Sequence, residues 1–303
     1  MGPSAAHPSV NEVEDLPRQD VRTPRENFPV LSWALDHSLR PGFVAVYTFC
    51  RISDDLADDP THSRDQRRDE LKRWREELEL CFAGRPRLPA MTRLRSVAEQ
   101  YHLPATPFHR LLDAFEEDQV RIRYQTWSEL QSYADRSANP VGELVLRLAG
   151  HSPAEPGWPE LMRLSDATCT ALQFVNFWQD VRRDLLELDR IYLPLAETGL
   201  TEAGLIELAR GEATNETRRM YGEALKPLVD RTDSLMRGAS LLPRLTDTRI
   251  AKPVMLFQSA GLLLGRRIAA IDYGTLWTRP RISRLSLALA SLRTLLTSVP
   301  KPT

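Results

Sequence analysis

Phe43-Val44-Ala45-Val46-Tyr47-Thr48-Phe49-Cys50-Arg51-Ile52-Ser53-Asp54-Asp55-Leu56-Ala57-Asp58-Asp59 is the stretch from which the fold reads outward. Its apolar positions Phe43, Val46, Tyr47, Cys50 and Leu56 recur mostly at steps of three and four, so their side chains share one face of a helix. Pro60 and Thr61 close it. Similar periodicity covers roughly 65–82, 88–101, 107–124, 128–149, 158–188, 201–210, 214–238, 250–273 and 283–298. The breaks fall at Gly84-Arg85-Pro86, Gly150 to Pro159 and Arg279-Pro280, where glycine and proline disfavour propagation. There is neither an alternating strand series with hairpin turns nor a tandem repeat. The expected fold class is therefore all-α, one domain over 26–303 built from about ten helices. Residues 1–25, where Pro3, Pro8, Pro17 and Pro24 mix with scattered charges, are expected to form a flexible tail.

The chain has 303 residues, 42% hydrophobic and 27% charged, enough for a large core and unlike a disordered or polytopic membrane protein. Forty basic residues against 41 acidic ones leave a net charge of −1, so no nucleic-acid partner is expected. Only Lys72, Lys226, Lys252 and Lys301 are lysines, which makes 36 of the 40 basic residues arginine. GC-rich codon usage accounts for that bias in general; recognition of phosphate by a few guanidinium groups is the sharper reading. Cys50, Cys81 and Cys169, odd in number and far apart, suit a reducing cytoplasm rather than a disulfide framework or a zinc site. No apolar run precedes Phe28, so no signal peptide is expected. Leu285 to Val299 is apolar but interrupted by Arg293, and falls short of the ~18 residues that cross a bilayer. It reads as a core helix, with peripheral contact at the inner face of the membrane left open.

Two acidic clusters carry the chemistry. Asp54 and Asp58 stand four apart on a predicted helix, as do Asp55 and Asp59, which sets each pair about 5–6 Å apart on one face. Asn176, Asp180 and Asp184 follow at steps of four in Asn176-Phe177-Trp178-Gln179-Asp180-Val181-Arg182-Arg183-Asp184. The turns before them carry Leu161, Leu164, Leu172 and Val175, so this second row sits on a mainly buried helix. Either cluster alone reads most simply as a solvated acidic face balanced by arginine. Both together, with Arg51, Arg182, Arg183 and Arg190 nearby, suggest carboxylates brought together by a divalent cation, because buried unpaired carboxylates are unfavourable. Magnesium prefers such oxygens and leaves room for water and substrate phosphate.

Acidic helices facing each other across an apolar cavity can bind a diphosphate and leave a hydrocarbon tail inside. Metal and arginine would then stabilise the departing anion. Carbocation chemistry needs dry walls and aromatic faces, and Phe28, Tyr47, Phe49, Phe174 and Phe177 lie near the clusters, although each of them taken singly reads first as simple core.

Glu26-Asn27-Phe28-Pro29-Val30, Tyr47 to Asp58, and Leu172-Gln173-Phe174 through Asp184 followed by Arg190-Ile191-Tyr192-Leu193-Pro194 resemble the squalene and phytoene synthase family of head-to-head prenyl-joining enzymes. The resemblance spans about 26–290. Ser137-Ala138-Asn139-Pro140-Val141-Gly142 and Ser165-Asp166-Ala167-Thr168-Cys169-Thr170-Ala171 are similar to its bacterial hydroxysqualene synthase branch, in the hopanoid pathway. That likeness implies an isoprenoid synthase helical bundle around a central apolar cavity, two or three Mg²⁺ ions, no need for NADPH, and conversion of presqualene diphosphate and water to hydroxysqualene and diphosphate. Sister activities would condense two prenyl diphosphates into squalene, phytoene or presqualene diphosphate. A different class is a non-catalytic helical partner that holds a lipid.

Carried over by position, the resemblance assigns Asp54, Asp58, Asn176, Asp180 and Asp184 to metal, with Tyr47 and the four aspartates catalytic. It assigns Phe28, Arg51, Arg136, Gln173, Asn176, Arg190, Tyr192 and Tyr273 to substrate binding. Two departures stand out. Arg136 occupies the place of a tyrosine implicated in the condensing half-reaction, which favours an enzyme starting from the cyclopropyl intermediate; Arg136 is then either a diphosphate contact or a surface arginine. Leu185-Leu186-Glu187-Leu188-Asp189 is one residue longer than the family spacing, which puts Arg190 and Tyr192 in question.

Overall fold

The computed structural model describes residues 35–282. Its order is α1 (Arg40–Asp58), α2 (Arg64–Phe82), α3 (Pro89–Tyr101), α4 (Thr106–Glu117), β1 (Arg123–Tyr124), α5 (Trp127–Ser137), α6 (Asn139–Leu148), α7 (Trp158–Glu187), β2 (Ile191–Pro194), α8 (Leu195–Thr198), α9 (Glu202–Arg210), α10 (Asn215–Gly238), α11 (Leu242–Leu245) and α12 (Thr248–Ala269). The expected tail, Phe28 and the 283–298 helix lie outside the described residues.

Helix starts follow local chemistry. Ser63 caps α2 in a reciprocal box with Gln66, while the Thr126, Thr201 and Thr214 side chains each accept a backbone N–H of the helix that follows. Two expected helices are cut. The 128–149 pattern breaks at Ala138 into α5 and α6, because Pro140 supplies no N–H to the Arg136 carbonyl and its ring crowds that carbonyl. The 107–124 pattern ends at Glu117, and the chain turns into β1, which pairs in parallel with β2.

Helices α1 to α4 close around Phe49, Trp74, Leu78, Met91 and Phe108, all buried. A second core gathers Trp127, Tyr133, Phe174, Trp178, Tyr221 and Leu264 from α5, α7, α10 and α12. Trp178 is fully buried and its indole N–H donates to the Thr232 hydroxyl at 2.9 Å, which satisfies the one polar atom it brings inside. Helix α6 packs on both α1 and α7. At Gly142 a Cβ would come within 2.3 Å of Ser165 Oγ and 2.8 Å of Cys169 Sγ, so only glycine lets α6 and α7 approach this closely.

Candidate active site

On α1, Phe43, Tyr47, Cys50, Asp54 and Asp58 form a half-buried row, apolar at the start of the helix and acidic at its end. On α7, Gln173 is half-buried, Asn176 exposed, Asp180 half-buried and Asp184 buried. Both rows thus end in carboxylates.

Electrostatics connects them. Burial pushes the Asp54 carboxyl up to about 6, with Asp58 adding to the rise and Arg51 and Arg183 opposing it. Because Arg183 belongs to α7, the first motif feels the second helix. Asp184 rises to about 8, from burial first and the Asp180 charge second; Arg183 and Arg190 oppose the rise and Asp58 contributes to it. The negative charge on α1 is therefore felt by the inner aspartate of α7.

Arginines hold most of these carboxylates. Arg51 donates to Asp54 at 3.0 Å and pairs with Asp55 at 2.5 Å. Arg279, from the segment after α12, grips both oxygens of Asp180, its Nη2 donating at 2.9 Å, and Arg183 stands 4.0 Å from the same carboxylate. A recess of about 200 Å³ opens here, lined by Asp180, Arg182, Arg183, Thr275 and Arg279 among others. Its guanidinium-rich wall suits an anion.

Arg190 is buried and its Nη1 lies 2.8 Å from Asp58 Oδ1. Just before it, Asp189 adopts left-handed backbone at φ 55°, and the Arg190 N–H closes back onto the Asp184 carbonyl at 2.8 Å. The exposed Asp189 side chain pairs with Arg64 and Arg123, each at 2.7 Å. Arg190 thus reaches the first motif. Tyr192 is buried, stacks on Phe177 at 3.9 Å and donates its hydroxyl to Asp118 at 3.1 Å.

Other expected residues sit elsewhere. Arg136 is tied to Glu117 at the end of α4 and to the Ser132 hydroxyl at 3.1 Å, an ion pair between α5 and α4 rather than a contact with either motif. Tyr273, in left-handed backbone at φ 58°, rests against Gly222 and under the Lys226 ammonium, both on α10. Asp118, Tyr133 and Arg279 join the network without having been singled out, alongside Arg183, which the sequence places beside the second cluster. Asp118 is buried and pushed up to about 6 by that burial, with Arg190 and the Tyr133 hydroxyl drawing it down. Its only sequence signal is the acidic run Glu116-Glu117-Asp118, which reads as a solvated helix end.

Magnesium demands hard oxygen donors, and the motif residues supply four carboxylates and one amide. Among the described residues no three His, Cys, Asp or Glu side chains are drawn together closely enough to hold a metal ion by themselves. The donor set nevertheless fits in kind: Asp184 is buried with its carboxyl pushed far up, and the mutual repulsion of acids from two helices is what a divalent cation would relieve.

A helical body with two acidic motifs on separate helices, joined by a buried arginine and flanked by aromatic rings, has the form of the all-helical isoprenoid synthases. The family model for squalene/phytoene synthase matches residues 21–286, and the chain belongs to that family. It is 33% identical to the hydroxysqualene synthase of Sinorhizobium fredii over 77% of this chain and 76% of that one. Against the hydroxysqualene synthase of Zymomonas mobilis the identity is 32%, over 77% and 75%. The crystal structure of squalene synthase HpnC from Alicyclobacillus acidocaldarius superposes with a TM-score of 0.71 at 37% identity, covering 82% of this chain and 89% of that one. Among the described residues no helix is long and apolar enough to cross a membrane.

Proposed function

We propose that the protein is a hydroxysqualene synthase, which ionises presqualene diphosphate and lets water capture the rearranged cation. The observation that carries this reading is the ion pair of Arg190, just beyond the second motif, with Asp58 of the first at 2.8 Å, which ties the two acidic segments together. The two relatives named hydroxysqualene synthase support it.

Asp54 and Asp58 on one side, with Asn176, Asp180 and Asp184 on the other, would hold Mg²⁺, whose charge stabilises the leaving diphosphate. Arg51, Arg183 and Arg190 stand around that position and neutralise oxygen charge that develops as the carbon–oxygen bond breaks. Tyr47 and Cys50 lie one to two turns before the aspartates on α1, where the hydrocarbon would begin. Phe177 and Tyr192 present stacked rings next to Asp184 and Arg190, a surface that tolerates a passing cation. Phe28, Gln173 and Tyr273 are assigned to substrate binding by the family resemblance alone. Such a product is insoluble in water, which favours a working enzyme in peripheral contact with a membrane, and the proposed location is the cytoplasm at the inner membrane face.

Incubation with presqualene diphosphate and Mg²⁺, without reductant, is expected to yield hydroxysqualene, and no product when EDTA replaces the metal. Consumption of farnesyl diphosphate alone would instead indicate a condensing sister activity. Recovery of both diphosphates untouched would indicate a non-catalytic relative.

A further inference from the structure

Asp118 lies outside both acidic motifs, buried just past the end of α4. A carboxylate there is strongly disfavoured unless it is bonded. The Tyr133 hydroxyl donates to Oδ2 at 2.8 Å and the Tyr192 hydroxyl to Oδ1 at 3.1 Å, so both oxygens are oriented. The rings that bring those hydroxyls are themselves fixed, Tyr192 by its stack on Phe177 and Tyr133 by its contact with Tyr192 at 5.6 Å.

Arg190 faces this carboxylate and a second one. Its Nη1 stands 4.0 Å from Asp118 Oδ2 and 2.8 Å from Asp58 Oδ1. A single guanidinium nitrogen therefore lies between a carboxylate of the first acidic motif and one that belongs to neither motif. The Arg190 backbone is held by its bond to the Asp184 carbonyl, and the next residue, Ile191, bonds to the Ile122 carbonyl at 2.8 Å. Movement is left to the side chain. A buried guanidinium with no anion beside it would be strongly unfavourable, so Arg190 can release Asp58 only if another carboxylate receives it.

We propose that Asp118 is a positioning residue that takes over Arg190 when Asp58 turns to a divalent cation, so that the first motif becomes available to metal without stranding a buried charge. This rests on the reading of the acidic motifs as a metal site. The exchange is short, because Asp118 is already oriented and Arg190 has only to close the gap that separates them.

The test is Mn²⁺ binding to the full-length protein without substrate, followed by electron paramagnetic resonance. Asp118→Asn keeps the shape and removes the charge, leaving Asp58, among the described residues, as the one carboxylate within 4.0 Å of Arg190; Mn²⁺ affinity is expected to fall about tenfold, a typical coupling for contacting charged groups. In an Arg190→Gln background the same Asp118→Asn change is expected to alter affinity by no more than about twofold, because its effect runs through Arg190. Equal affinity of wild type and Asp118→Asn, or a tenfold loss that persists in the Arg190→Gln background, overturns the proposal. A crystal of the wild type with Mn²⁺ answers the question without any variant: Arg190 is expected at about 3 Å from Asp118 and withdrawn from Asp58. Arg190 still seated on Asp58 beside bound Mn²⁺ overturns it. A wild type that binds no Mn²⁺ overturns the metal-site reading itself, and this inference with it.

Discussion

The acidic motifs of α1 and α7 share one spacing and live in opposite surroundings. Asp54 is about half exposed, with a side-chain exposure of 47%, and is matched by Arg51 from its own helix. Asp184 is buried at 7%, and Arg183 and Arg190 oppose its rise without, among the described residues, forming a close ion pair with it. The consequence is a carboxyl near 6 on one helix and near 8 on the other. Identical residue types at identical spacing thus differ in protonation because one helix ends at the surface and the other runs through the core.

That contrast makes the inner motif the more demanding partner. Asp184→Asn is expected to lower turnover of presqualene diphosphate about a thousandfold, and Asp54→Asn about a hundredfold, in steady-state assays at saturating Mg²⁺. Equal losses would mean that burial adds nothing to the role of Asp184. Mg²⁺ with inorganic diphosphate is expected to raise the thermal midpoint of the wild type, since a ligand of the folded state stabilises it, and to leave Asp180→Ala unmoved. A rise that survives in Asp180→Ala would place the ligand elsewhere.

The pH dependence separates the two helices further. Each carboxyl titrates near 4 in the unfolded chain. Since Asp184 titrates near 8 in the fold, the folded form binds the extra proton between those values, and stability without metal declines as pH rises from about 4 through 8. The contribution of Asp54 ends near 6, as does that of Asp118, so the decline above pH 6 belongs to Asp184. Melting curves of Asp184→Asn are expected to be flat from pH 6 to about 9, while Asp54→Asn keeps the wild-type slope there. The smallest effect is reserved for Arg51→Gln, which removes an exposed pair and is expected to shift unfolding free energy by no more than about 0.5 kcal/mol in urea titrations.

Much of this arrangement is legible in the sequence. The periodicity of Phe43 to Leu56 and of 158–188 places α1 and α7 within a few residues of their observed ends, because long apolar rows at steps of three and four have no competing solution. The four aspartates follow from spacing on those helices. What the sequence hides is tertiary. Ile191-Tyr192-Leu193-Pro194 is buried throughout and shows no alternation, and its partner strand is only Arg123–Tyr124, so no strand period announces the pair. Asp118 looks like one more acid at a helix end until Tyr133 and Tyr192 fold onto it from distant parts of the chain. Arg279 sits beside Pro280 in a segment that reads only as a helix break, yet it reaches Asp180 across 99 residues of sequence. Asp189 takes left-handed backbone in the turn after α7, which no periodicity announces, and leaves Arg190 beside Asp58.

Anomalous scattering from a crystal grown with Mn²⁺ and inorganic diphosphate puts the pairing of the two motifs to its most direct trial. Manganese peaks are expected between the helices, coordinated by oxygens of Asp54 or Asp58 on α1 and of Asp180 or Asp184 on α7, with diphosphate joining them. Manganese bound by one helix alone, or by neither, would contradict a shared metal site.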